Sequence, residues 1–269
     1  MRDVRPAAVA GMFYPGSPAE LAATVRECLA EAPQSARASL RAPKALIVPH
    51  AGYVYSGPIA AAAYARLGKM RDIVRRVVIL GPAHRVAVRG LALPTARAFA
   101  TPLGEVEVDR EAVAAVAALP QVVRSDAAHA LEHSLEVQLP FLQSVLGNFR
   151  IVPFAIGSAS AGEVAEVLDR LWGGPETLIV VSSDLSHFHG YAEAREIDRA
   201  SARRILALDG SLDHDEASGA TPINGLLLCA RRRGLEPELI DLRNSGDTAG
   251  DRARVVGYAS FAFAGGDPA

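Results

Sequence analysis

Seven histidines occur in this chain, and several stand where an imidazole can do more than pack. Histidine offers acid/base, proton-shuttle and metal-ligand chemistry at ordinary pH. His50 follows the apolar run Ala45-Leu46-Ile47-Val48 and the breaker Pro49. His84 follows a second apolar run that ends in Gly81-Pro82-Ala83. A third run leads into Ser182-Ser183-Asp184-Leu185-Ser186-His187-Phe188-His189-Gly190. A carboxylate and two histidines directly after a buried strand need partners or a ligand, because burying polar groups unpaired is costly. A fourth cluster reads His129-Ala-Leu-Glu132-His133-Ser-Leu-Glu136. On a helix it sets His129 and His133 four residues apart, a spacing that can chelate a metal, with Glu136 one turn beyond His133. His129 is expected on the solvated side of that helix. Gly52 and Gly57 let the backbone come close to a ligand beside His50, and Tyr53 and Tyr55 add flat surfaces with a polar tip.

The elements that must position these groups can be read from hydrophobic periodicity. Apolar runs at residues 45–48, 76–81, 150–156 and 177–181 suit strands buried on both faces. Helical spacing places Leu21, Val25, Cys28 and Leu29 on one face of a helix started by Ser17 or Pro18, and residues 31–43 read as a loop. Further helices are expected over 58–67, from Asp109 to about 119, over 129–146, 161–172, 192–208 and 224–233. Pieces at 90–94, 98–102 and 104–108 read as a small antiparallel excursion, and 238–242 and 254–264 as the last strands. Strands alternating with helices predict an α/β fold, a single domain over residues 1–269 with a mostly parallel or mixed central sheet flanked by helices. If the strands before His50 and His84 are neighbours, both histidines face one cleft at the carboxyl edge, where open α/β sheets hold ligands.

Composition narrows the function. Half of the 269 residues are hydrophobic and 22% are charged, as in an ordinary folded protein. A net charge of −2, with no basic block longer than Arg231-Arg232-Arg233, argues against nucleic acid. The triplet reads as the cationic end of a helix. Cys28 and Cys229 read as buried thiols in a reducing compartment. No stretch reaches the ~18 apolar residues of a membrane span, and the first ten residues lack a leader's apolar region, so a cytoplasmic protein is expected. There is no Gly-x-Gly-x-x-Gly, Walker loop or Gly-x-Ser-x-Gly elbow, and the loop Asn244–Asp251 lacks the ligand spacing of an EF-hand.

Five ordered motifs carry a resemblance that spans about residues 5–264. They are Val48-Pro-His-Ala-Gly-Tyr53 with Tyr55-Ser-Gly57, Gly81-Pro-Ala-His84, Glu132-His-Ser-Leu-Glu136, Ser182-Ser-Asp-Leu-Ser-His187, and Asn244-Ser-Gly-Asp247 followed by Val255-Val-Gly-Tyr258. Together they resemble the Memo family, known in prokaryotes as protein B of the AmmeMemoRadiSam system. That family is similar in fold to the LigB-type, class III extradiol dioxygenases, which hold a non-haem iron with two histidines and a glutamate. The resemblance implies that His50 and His84 are metal ligands, that His187 is an acid/base with Asp184 beside it, and that His133 lines the same cleft. Glu136, Tyr53, Tyr55, Asn244 and Asp247 are further cleft residues on this reading. Asp184, Glu136 and Asp247 are all candidates for a third ligand. Animal Memo proteins carry a cysteine where this chain has Leu242, and many relatives have one where it has Ser218.

Fe(II) or copper is the implied cofactor, with dioxygenase-like redox chemistry on a small molecule as the implied activity. The alternative is a non-catalytic protein whose cleft takes a peptide or a partner's loop. It would act with the AMMECR1-like and radical SAM proteins of the system's name.

Overall fold

A computed structural model describes residues 3–34 and 41–265, so part of the loop expected over 31–43 lies outside the described residues. In chain order the strands are β1 (Val4–Arg5), β2 (Ala45–Val48), β3 (Arg76–Pro82), β4 (Leu91–Leu93), β5 (Ala98–Thr101), β6 (Gly104–Glu107), β7 (Val122–Arg124), β8 (Arg150–Ile156), β9 (Thr177–Ser182), β10 (His187–His189), β11 (Leu235–Asn244) and β12 (Val255–Gly265). The main sheet runs β10-β12-β2-β9-β3-β8-β4-β7, with β11 also paired to β12. β2, β9, β3 and β8 are mutually parallel, while β12 and β4 flank them antiparallel. The sheet is therefore mixed, as expected. β2 and β9 are buried at every residue because helices cover both faces, which is why their sequences are apolar without alternation.

β9 lies between β2 and β3, which corrects the expectation that the strands before His50 and His84 are neighbours. Both histidines still leave the same carboxyl edge. The insertion puts Ser182, the last residue of β9, beside Val48 in register, directly under His50. The small antiparallel excursion is also only partly as expected. β5 and β6 form the hairpin, with β1 added in parallel, whereas β4 joins the main sheet.

Two helices differ from the periodic reading. The helix Tyr53–Tyr64 starts five residues before Pro58, because the Tyr53 N–H donates to the Phe13 carbonyl and Gly52 accepts from Tyr55 and Ser56. Pro58 sits in its second turn, at the cost of one backbone hydrogen bond.

The helix expected over 129–146 is broken. Asp126–Ala130 is helical, a 3-10 turn covers Glu136–Gln138, and a second helix spans Leu139–Val145. The break has two causes. The Glu132 carboxylate captures the backbone N–H groups of His133 and Ser134, which a continuous helix would have used. Pro140, lacking an N–H, favours the start of a new helix, where it loses no bond.

Of the other helices, Ala220–Arg232 starts four residues before the expected Asn224, and the rest follow the sequence closely. Asp109 caps Arg110–Val116 through the Ala112 N–H, and Ser160 with Glu163 forms a capping box on Ala161–Leu171. Arg232 and Arg233, at the end of Ala220–Arg232, pair with Asp169 of the neighbouring helix rather than with their own carbonyls. Cys28 and Cys229 are buried free thiols, and burial pushes each up to about 11. No helix among the described residues is long and apolar enough to cross a membrane.

Candidate metal centre

His50 stands two residues beyond β2 and His84 two beyond β3. The broken segment between the two helices brings His133 to the same point. One ring nitrogen of each lies within 4.8 Å of the others, so the three can hold a metal ion. The His84 and His133 rings stack at 4.7 Å, and the His50 ring stands edge-on to both, at 5.2 Å and 5.4 Å.

The hydrogen bonds around the trio settle which nitrogen the His50 and His84 rings present. The Ser182 hydroxyl donates to the Ser134 carbonyl at 2.6 Å and accepts from Gln138 Nε2 at 2.8 Å. Its remaining role is to accept from His50 Nδ1, 3.0 Å away, which leaves the His50 Nε2 lone pair for the cleft. Glu132 does the same for His84. Its Oε1 lies 2.9 Å from His84 Nδ1, and it also accepts the backbone N–H groups of His84, His133 and Ser134. Burial alone would raise this carboxyl, but the His84 hydrogen bond, the charge of His84 and the backbone donors outweigh it, holding Glu132 down at about 2. A carboxylate on the far nitrogen of a ligating histidine orients the ring and raises its basicity.

Burial drives the His50 imidazole down to about 3, with the neighbouring His84 adding to the effect. Burial likewise lowers His133 to about 4. Both are neutral at ordinary pH, the state a metal ligand requires. His133 Nδ1 is buried 3.3 Å from Glu132 Oε1 without forming a well-aligned hydrogen bond.

Asp184 and His187 border the trio. Asp184 is 4% exposed. Its Oδ1 accepts the His50 N–H at 2.7 Å and its Oδ2 lies 3.9 Å from His50 Nε2. Burial pushes its carboxyl up, against the pull of the His50 N–H and of His187 and His133. His187 Nδ1 donates to the Leu185 carbonyl at 2.8 Å, which leaves Nε2 as the nitrogen without that bond. Ser218 Oγ sits 3.3 Å from His50 Nε2.

Other residues singled out in the sequence go elsewhere. Glu136 is completely buried and accepts from Arg5, the Ala8 and Val9 N–H groups and the Tyr14 hydroxyl, which ties down the N-terminal segment. The cleft is no longer its place, because the helix expected to turn it beside His133 is broken. Tyr53 is in the core, donating to the Val137 carbonyl and packing on Phe141. Tyr55 is partly exposed on the first turn of its helix. His129 is buried rather than solvated, bonded through Nε2 to the Ala92 carbonyl and lowered by burial to about 4. Asn244, Asp247 and Leu242 line a separate pocket against the helix Tyr191–Leu206.

Two residues at the centre, and one beside His187, were not singled out from the sequence. Glu132, not Glu136, is the carboxylate at the histidines; its adjacency to His133 was the available signal, hidden by the assumption of one helix. Ser182 could be found only by knowing that β9 adjoins β2. Asp198, pushed up to about 6 by burial, accepts the Ser186 N–H beside His187. It lies so close to Gly257 that a side chain there would meet its Oδ2 at 2.1 Å.

The fold and the site define an α/β protein with a three-histidine cluster at the carboxyl edge of its sheet. The sequence profile described as "Memo-like protein" matches residues 5–262, and the chain belongs to the Memo family. A MEMO1 family protein of Methanopyrus kandleri is 37% identical over 285 aligned residues, covering 96% of this chain and 98% of the relative. A MEMO1 family protein of Sulfolobus acidocaldarius is 35% identical, covering 97% and 99%. A crystal structure of an uncharacterized protein from Escherichia coli K12 is similar in fold, with a TM-score of 0.53 and 16% identity over 81% of this chain and 98% of that one.

Proposed function

We propose that His50, His84 and His133 hold a transition metal, iron or copper, and that the cleft carries out redox chemistry on a small molecule. One observation carries the reading: three imidazoles converge, two of them kept neutral by burial, with Ser182 and Glu132 holding His50 and His84 so that Nε2 faces the cleft. Histidine ligands with open positions suit these metals, which would supply a change of oxidation state and a place to bind substrate. His133 takes the third position, for which Asp184, Glu136 and Asp247 were the sequence candidates. Asp184 holds a proton or a ligand position beside His50, and His187 moves a proton at Nε2. The two buried free cysteines fit a reducing, cytoplasmic setting.

The test is the metal content of protein purified without oxygen. Iron or copper near one per chain is expected in the parent and is lost in His50→Ala and His84→Ala. A parent purified without metal, and unable to take it up from solution, would overturn the reading. Oxygen-dependent ring opening across a catechol panel separates dioxygenase chemistry from other metal chemistry.

A second reading, peptide or partner binding with AMMECR1-like and radical SAM proteins, is favoured by Phe188. This residue is 62% exposed beside His187 and held at φ 65°, a conformation costly for a bulky side chain. Loss of partner capture from Phe188→Ala at unchanged metal content would favour it.

A further inference from the structure

The pocket that takes Asn244 away from the histidines has its own chemistry. It is about 350 Å³ in volume and lies between the helix Tyr191–Leu206 and the end of β11. None of the histidines of the cluster lines it. Asn244 is 1% exposed, and its Oδ1 accepts the Gly246 N–H at 3.0 Å. That bond settles the orientation of the amide, because the opposite one would set two donors face to face. Asn244 Nδ2 is then a buried donor without a partner. Buried donors in folded proteins are nearly always satisfied, so an unpaired one that borders a pocket points to an acceptor held there.

The charges around the pocket identify the acceptor. Its two carboxylates are already engaged. Asp247 accepts from the Tyr191 hydroxyl at 2.5 Å and from the Asn244 N–H, and Asp198 accepts from the Ser186 N–H. Arg243 is spent on Asp241. Arg195 and Arg199 line the pocket one helical turn apart, and neither makes an ion pair among the described residues. Arg195 leans over the Tyr191 ring, 5.5 Å from its centre. Two open guanidiniums and one orphaned amide N–H are donors without acceptors, and guanidinium forks match the oxygens of phosphate and carboxylate.

We propose that this pocket is a binding site for a compact oxyanion, a phosphate or carboxylate group of a small molecule, held by Arg195, Arg199 and Asn244 Nδ2. None of the three clustered histidines lines it, and its wall touches the neighbourhood of His187 only through Asp198, which holds the Ser186 N–H.

The full chain is titrated with inorganic phosphate and with acetate at constant ionic strength, following heat release and the Asn244 side-chain amide signal in a nitrogen–proton spectrum. Saturable binding with a Kd of about 1 mM or tighter is expected for one or both anions, with the Asn244 amide signal moving. The preferred anion distinguishes a phosphate source from a carboxylate source. Arg195→Gln with Arg199→Gln, on an exposed helix face, weakens binding at least about tenfold, since each removes a charged donor. Asn244→Ser, which keeps a turn-forming oxygen and removes Nδ2, weakens it less. The double variant keeps the parent's metal content, so failure of this site and failure of the metal centre read out separately. No saturable binding by the parent, or equal binding by parent and double variant, would overturn the assignment.

Discussion

Glu132→Gln is the substitution that separates a built metal centre from a chance meeting of histidines. Glu132 is 1% exposed and accepts four N–H groups, three of them converging on Oε1 and the His84 N–H meeting Oε2. Glutamine keeps one oxygen. Placed at Oε1 it serves three donors, and its NH2 then faces the His84 N–H, donor against donor. One charge-assisted hydrogen bond is lost and two buried donors are left opposed, about 2–4 kcal/mol of folding stability. The carboxyl's displacement from 4.5 to about 2 gives the same order, since each tenfold in proton affinity is worth about 1.4 kcal/mol.

Metal binding falls as well, because a neutral amide oxygen holds the His84 Nδ1–H less firmly; about 10- to 100-fold is usual for such second partners. Urea unfolding of the metal-free protein measures the first effect, and competition with a chelator of known affinity measures the second. A variant within about 0.5 kcal/mol of the parent, with unchanged metal affinity, would refute the claim that Glu132 organises the centre.

Three other outcomes are expected. Glu136→Gln leaves Arg5 buried against a neutral group and costs about 3–5 kcal/mol, with proteolysis in the first sixteen residues rising before global unfolding. Ser182→Ala frees the His50 ring and lowers metal affinity by about tenfold; unchanged affinity in a chelator competition would count against the tautomer assignment. The pH series follows from the lowered histidines. His133 and His129 titrate near 4 when folded and near 6.5 when unfolded, so the unfolded chain binds more protons between those values. Their contribution is complete above about pH 6.5 and is lost as pH falls toward 4, on the order of 1–3 kcal/mol for each group. Urea midpoints of the metal-free protein at a series of pH values check this, and a midpoint flat across that window would refute the burial argument.

The local sequence was enough for the fold class and for two of the three histidines. An uninterrupted apolar run followed by a breaker can be little other than a strand buried on both faces, and the residue after the breaker must leave at its carboxyl edge. His50 and His84 are placed at that edge on this ground, and Asp184 and His187 by following the run 177–181, while their roles rest on the resemblance. His133 and Glu132 did not, because 3.6-residue periodicity extends a helix through a segment whose backbone N–H groups are taken by a carboxylate. That capture depends on His84, forty-eight residues earlier, and no local pattern contains it. Ser182 became a partner of His50 only because β9 inserts beside β2, a pairing of residues 134 positions apart for Val48 and Ser182. Glu136 and Asn244 stand in motifs that sequence alone assigns to one cleft. Tertiary packing sends the first to Arg5 and the second to a pocket of its own. The sequence by itself determined which residues could do chemistry and the sheet edge from which most of them emerge. The tertiary structure alone decided which of them meet, because a meeting point is set by strand order and by long-range hydrogen bonds rather than by spacing along the chain.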